Sequence, residues 1–257
     1  IIFPMAFNKN NLKGTGVAIV TPFNKDGSID FRALAKIIEH LIAGKVEYLV
    51  VLGTTGESVT LTKDEKCAVM SYVAEQVDGR VLLVAGLGGN NTQDIVNCMK
   101  SHDFDGYDVL LSVSPYYNKP NQRGIYQHYK MLSEVSPLPI IIYNVPGRTA
   151  SNISADTTLK LAEDFKNIIG TKEASGNFEQ VINIIKNKPK DFLVISGDDL
   201  ITLPLIACGA VGVISVIANA YPKDFSEMTR QALAGNFSAA QKLHYKLSEI
   251  MQAIFAD

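Results

Sequence analysis

SADTTLKLAEDFKNIIGTKEASG (154–176) carries both periodicities that decide the fold. Its first half spaces apolar residues along one helical face, with Ser154 placed to cap the start. Its second half, 168–172, is a short β-branched run that closes on Lys172 and opens onto Glu173-Ala174-Ser175-Gly176. A helix feeding a buried strand is the repeating element of an α/β fold. The lysine is the odd feature, because an ammonium out of water is costly unless it is paired or neutralised. One productive answer is a free amine that attacks a carbonyl and forms a Schiff base.

The same alternation recurs on both sides of this stretch. Candidate strands fall at 16–21, 48–52, 81–85, 107–112, 140–143, 168–172, 192–196 and 211–215. Helical spacing fills the segments between them, as at 31–43, 63–77, 124–134 and 155–165. Start signals stand where they should: Asp30 before Phe31, and Thr62 with Glu65 three residues on. The expected architecture is an α/β (β/α)8 TIM barrel over residues 1–220. A short C-terminal helical extension, 221–257, follows; it breaks at Gly235-Asn236 and ends abruptly. A doubly wound dinucleotide fold is the rival, on the strength of AGLGGNN (85–91). Asn91 replaces its third glycine and no acidic strand end stands at the ribose distance, so these glycines read as a tight strand-to-helix turn.

The chain has 257 residues, of which 47% are hydrophobic and 19% charged, enough for one large core. A net charge of −2 with mixed signs gives no footprint for nucleic acid or an anionic membrane. Cys67, Cys98 and Cys208 are widely spaced in helical segments, which suits a reduced, cytoplasmic compartment. No run approaches the roughly 20 apolar residues that span a bilayer. The opening residues 1–7 are apolar but short and broken by Pro4, a poor signal peptide.

Chemistry in a barrel collects at the C-terminal strand ends. GTTGES (53–58) exposes backbone N–H groups toward an anion, with plain glycine-turn capping as the bland alternative. SPYYNKP (114–120) offers two tyrosines in a proline-stiffened loop, an interface patch or packing. In YNVPGRT (143–149), Tyr143 is a candidate proton relay and Arg148 either a carboxylate clamp or a solvated charge. In SGDD (196–199) the aspartates cap the next helix, with a Mg²⁺ site as the alternative. His40, His102, His128 and His244 all fall in helical segments with polar faces, so no metal is expected.

Together with GTKEASG (170–176) and GVISV (212–216), these blocks resemble, in order, the dihydrodipicolinate synthase family of class I pyruvate-dependent aldolases. N-acetylneuraminate lyase belongs to the same class. The resemblance implies a lyase that condenses pyruvate with L-aspartate 4-semialdehyde to 4-hydroxy-tetrahydrodipicolinate, the first committed step of lysine biosynthesis, with no cofactor. It implies that Lys172 forms the Schiff base, that Tyr143, Thr55 and Tyr117 relay protons, and that Tyr117 reaches into a neighbouring subunit. Thr54 and Thr55 would hold the pyruvate carboxylate and Arg148 that of the semialdehyde, while Gly197 and the Ile214 carbonyl line the pocket. A homo-oligomer follows, a dimer or a homotetramer of paired dimers.

Ser58, Asn90, Asp94 and Tyr116 match the lysine-inhibition site of regulated relatives. Lys63 and Lys66 stand where the best-known inhibited relatives carry histidines, so feedback by lysine is expected to be weak or absent. Arg148 and the Thr-Thr pair favour the synthase over the neuraminate lyase branch. That branch, and a truncated pyruvate-binding barrel without turnover, are the alternatives. The family's usual further C-terminal helices have no counterpart in 221–257.

Overall fold

Eight parallel strands close into a barrel in the computed structural model, which describes residues 8–256. The apolar opening, 1–7, lies outside the described residues. The strands are β1 (Gly14–Ala18), β2 (Tyr48–Val51), β3 (Leu82–Gly86), β4 (Val109–Val113), β5 (Ile140–Asn144), β6 (Ile168–Glu173), β7 (Leu193–Ser196) and β8 (Gly212–Ser215). Each pairs with its neighbours in chain order, and β1 meets β8 to close the ring. Alternating with them are α1 (Phe31–Ala43), α2 (Lys63–Val77), α3 (Thr92–Ser101) and α4 (Gln122–Val135). The series continues with the single turn α5 (Pro146–Thr149), α6 (Ala155–Asp164), α7 (Phe178–Asn187) and α8 (Thr202–Ala207). After β8 come α9 (Pro222–Leu233) and α10 (Phe237–Ala253).

The caps are where the residue types put them. Asp30 accepts from the Ala33 N–H, and Thr62 with Glu65 forms a reciprocal capping box. Ser154 accepts from the Thr157 N–H at the start of α6. Strand limits shift where side chains intervene. β1 begins at Gly14 rather than 16 and stops at Ala18, because the Val20 N–H donates to the Asn219 side chain instead of to a strand. β4 begins only at Val109: Tyr107 donates its hydroxyl to the Met70 carbonyl, and Asp108 spends its carboxylate on the Leu83 N–H.

Two apolar layers hold the barrel. An inner cluster includes Tyr48, Val50, Val84, Leu111, Ile141, Tyr143, Ile195 and Ile214. A larger outer cluster packs the helices onto the sheet through Leu34, Ile38, Val73, Leu132, Leu161 and Val194. Gly16 shows how tight the inner layer is: a Cβ there would fall 2.0 Å from Cε2 of the Tyr48 ring.

His128 lies in a helix, α4, as expected, but on its buried side. His128 does not sit on a polar face; it is 3% exposed between α3 and α4, with Nδ1 2.8 Å from Thr92 Oγ1. The helical spacing around it reads correctly, but the imidazole serves as a packed, single-bonded side chain. No helix among the described residues is long and apolar enough to cross a membrane.

Candidate active site

Lys172 ends inside the barrel mouth, 4% exposed. Its Cα pairs with that of Tyr143 across β5 and β6, and its Nζ lies 4.3 Å from the centroid of the Tyr143 ring. Among the described residues, no carboxylate forms an ion pair with it. Gly197, at the end of β7, borders the same side chain, since a Cβ built on it would lie 2.9 Å from Lys172 Cε. Ile214 is fully buried in the inner cluster beneath.

A cavity of about 370 Å³ reaches Tyr143 of this pair, while Lys172, Gly197 and Ile214 lie outside its lining. Tyr143 and Arg148 form one wall, and Gly53, Thr54, Glu57 and Ser58 form another. The GTTGES segment reaches it through a strained turn: Leu52 and Glu57 both take positive φ, 59° and 53°. Between them, 54–56 form one 3₁₀ turn closed by the Gly56 N–H to the Gly53 carbonyl at 3.1 Å. The N–H groups of Thr54 and Thr55 precede that first internal bond and are left for an outside acceptor. Thr54 lines the cavity, whereas Thr55 is half-buried and does not.

Arg148 is exposed on α5, and no acidic side chain among the described residues pairs with it. A free guanidinium on a short rigid turn suits bidentate recognition of a carboxylate. Tyr117 stands apart from this set. It projects outward, 84% exposed, from a position with φ of 66°. Val59, close to the mouth, is also exposed, at 73%. Ser58 and Tyr116 line the cavity; Asn90 and Asp94 do not, lying instead on the β3–α3 connection and the first turn of α3. There the Asn90 carbonyl accepts from Asn118, and Asp94 accepts from Asn91.

The paired aspartates separate. Asp198 accepts from the N–H groups of Leu200 and Ile201 ahead of α8, as expected. Asp199 turns the other way, 3% exposed, and accepts from the Val216 and Ile217 N–H groups just past β8. The expected shared capping role is thereby corrected, because two adjacent strand-end residues point to opposite sides. Burial raises the Asp199 carboxyl above its usual range, opposed by those hydrogen bonds.

Sequence reading passed over Asn144 and Glu173, the residues after Tyr143 and Lys172. Both are buried, and Asn144 Nδ2 donates to Glu173 Oε1 and Oε2 at 3.0 and 3.1 Å. Burial raises the Glu173 carboxyl above its ordinary range, while hydrogen bonds from Ser175, Asn144 and Gln180 act against that rise. The available signal was a polar pair closing two neighbouring apolar strands.

The profile of the Dihydrodipicolinate synthetase family matches residues 11–257. A 4-hydroxy-tetrahydrodipicolinate synthase from Flavobacterium psychrophilum is 57% identical over 242 residues, covering 94% of this chain and 83% of the relative. The crystal structure of dihydrodipicolinate synthase from Aquifex aeolicus superposes with a TM-score of 0.92 at 42% identity, covering 95% of this chain and 83% of that one. A chloride-inhibited dihydrodipicolinate synthase from Acinetobacter baumannii, complexed with pyruvate, gives a TM-score of 0.92 at 39% identity. That alignment covers 95% of this chain and 84% of the other.

Proposed function

The chain belongs to the dihydrodipicolinate synthetase family, and from that premise we propose that its barrel mouth condenses pyruvate with L-aspartate 4-semialdehyde through a Schiff base on Lys172. The observation that carries this reading is the Lys172–Tyr143 contact: a buried amine with no ion-pair partner among the described residues, set against a phenol at the mouth. A relative of the same fold in complex with pyruvate supports the choice of first substrate.

The residues divide the work by chemistry. Thr54 and Thr55 present N–H groups to the pyruvate carboxylate, which turns its ketone toward Lys172. The Lys172 amine adds to that ketone, and the carbinolamine loses water with the Tyr143 hydroxyl moving the protons. The iminium so formed acidifies the adjacent methyl group; loss of one proton gives the enamine. Arg148 holds the semialdehyde carboxylate so that its aldehyde carbon meets the enamine. The new carbon–carbon bond forms, the substrate's own amine displaces Lys172 by transimination, and the product leaves as a ring.

Tyr117 enters from a neighbouring subunit, so the working unit is at least a dimer. Exposure of Tyr117 and Val59 at 84% and 73% supports an interface on this face. Three free cysteines suit a cytoplasmic setting.

Borohydride reduction in the presence of pyruvate tests the assignment. Peptide mapping should find the reduced adduct on Lys172 in the wild-type chain and none in Lys172→Ala. An unmodified wild-type peptide would overturn the reading. With both substrates, formation of the cyclic product separates this activity from cleavage of a sugar acid.

A further inference from the structure

Asn144 and Glu173 come directly after Tyr143 and Lys172, and the β5–β6 register pairs them in the same order, Tyr143 with Lys172 and Asn144 with Glu173. Strand alternation turns the first pair into the barrel and the second pair outward. Outside, Glu173 is 1% exposed, and all of its partners are donors. Asn144 Nδ2 reaches both carboxylate oxygens, the Ser175 N–H donates to Oε1 at 2.9 Å, and Gln180 Nε2 donates to Oε2 at 3.1 Å. Asn144 is held in turn by Asn152 Oδ1 at 2.8 Å and by the Ile153 N–H, which donates to its Oδ1 at 2.9 Å. A carboxylate ringed by donors acts only as an acceptor, so this contact has one hand and one geometry.

Below it, the backbone ladder keeps one register from Ile141–Gly170 to Asn144–Glu173, above a single irregularity. Ile140 pairs with Ile168 but Ile141 pairs with Gly170, so β6 carries one extra residue at Ile169. Ile169 packs on the inner cluster, and Gly170 also faces inward, where a Cβ would lie 2.9 Å from Leu193 Cβ. This bulge resets the alternation and brings Lys172 to the inner face. A slip of one residue would turn Lys172 outward and Glu173 inward.

We propose that Asn144 and Glu173 are a positioning pair for the Schiff-base step: their clamp on the outer face of the barrel fastens the ends of β5 and β6, where the backbone ladder stops, and so holds Tyr143 against Lys172 on the inner face. The proposal rests on the assignment of Lys172 and Tyr143 to the chemistry and adds two residues that touch no substrate.

The test uses Asn144→Asp and Glu173→Gln in the full chain. The first sets a carboxylate against Glu173, Asn152 Oδ1 and the Ile153 carbonyl, and the second turns an amide NH₂ toward the Ser175 and Gln180 donors. Each single change should lower kcat, and the rate of pyruvate trapping by borohydride, by about 10- to 100-fold, the usual cost of misplacing a reacting group by an ångström or less. KM for pyruvate should stay within about threefold, since the carboxylate-binding turn is untouched.

Singles that keep kcat within about twofold while only their melting temperature falls would overturn the proposal, because that is the signature of structure without positioning. If the singles do not fold, Glu173→Asp, which keeps the charge and shortens the reach, carries the same limits. The wild-type chain separates the two levels of the reading. No adduct on Lys172 there would sink the assignment of the chemistry, while a normal wild-type adduct with equal trapping in every variant would sink the positioning pair alone.

Discussion

Gly197 and Lys172 are neighbours across β6 and β7 so close that one methyl group would force them apart. A Cβ on Gly197 would lie 2.9 Å from Lys172 Cε and 2.7 Å from Ala174 Cβ, with the Glu173 carbonyl at 3.2 Å. The lysine stem can bend away, but the backbone carbonyl and the alanine cannot. Gly197→Ala is therefore expected to displace Lys172 and lower kcat by about 10- to 100-fold, with overpacking costing about 1–3 kcal/mol of stability. Steady-state kinetics alongside thermal melting reads both, and wild-type turnover in this variant would contradict the contact.

Arg148 has a different signature. It lines the cavity with no acidic partner among the described residues, and Gly53 and Thr54, proposed above to hold pyruvate, line the same cavity. Arg148→Ala should leave borohydride trapping of pyruvate unchanged and raise KM for the semialdehyde, by about 10-fold or more for a lost charge-assisted contact. Arg148→Lys should recover only part of that loss, because an ammonium cannot form the planar fork. A slowed trapping step with normal KM for the second substrate would reassign the residue.

Tyr117 invites a complementation test. At 84% exposed, it contributes little to the fold of its own chain, so Tyr117→Phe should melt like the wild type and lose activity. Mixing Tyr117→Phe with Lys172→Ala chains should restore turnover, since a mixed pair holds one site with an intact Lys172 and an intact Tyr117 from the partner. If Tyr117 acts within its own chain, no mixture regains activity.

His128 gives the fold an acid limit. Burial pushes its imidazole down to about 4, and its Nε2 has no hydrogen-bond partner among the described residues. The unfolded chain takes up a proton near the ordinary value of about 6.5, whereas the folded chain refuses it until about 4. Because the unfolded state then binds more protons, stability falls as pH drops through that window, by up to ~3 kcal/mol, and the loss is complete below it. His128→Gln removes this slope. Its melting temperature should lie below that of the wild type at neutral pH and approach it by several degrees at pH about 4.5. Parallel melting curves for the two chains would refute the assignment.

Much of this molecule is legible residue by residue. The caps at Asp30, Thr62 and Ser154 obey spacing rules that involve only a few neighbours, and the structure keeps each one. The strand-end residues Thr54, Tyr143, Arg148 and Lys172 are recognisable because each interrupts an apolar run or closes a glycine turn. Asp199 was misread for the complementary reason. Its partners, Val216 and Ile217, lie 17 and 18 residues along the chain, and no local pattern announces them.

The order of apolar periods was enough, by itself, to determine a barrel of alternating strands and helices and to single out Lys172 as its unusual charge, because those signals act over one or two turns of chain. Only the tertiary structure decided which side of the sheet that charge occupies. The bulge at Ile169, the close approach of Gly197 and the clamp between Asn144 and Glu173 all depend on neighbouring strands meeting in one register. Register is a relation between distant segments, and a shift of one residue would leave every local signal intact while turning Lys172 away from Tyr143.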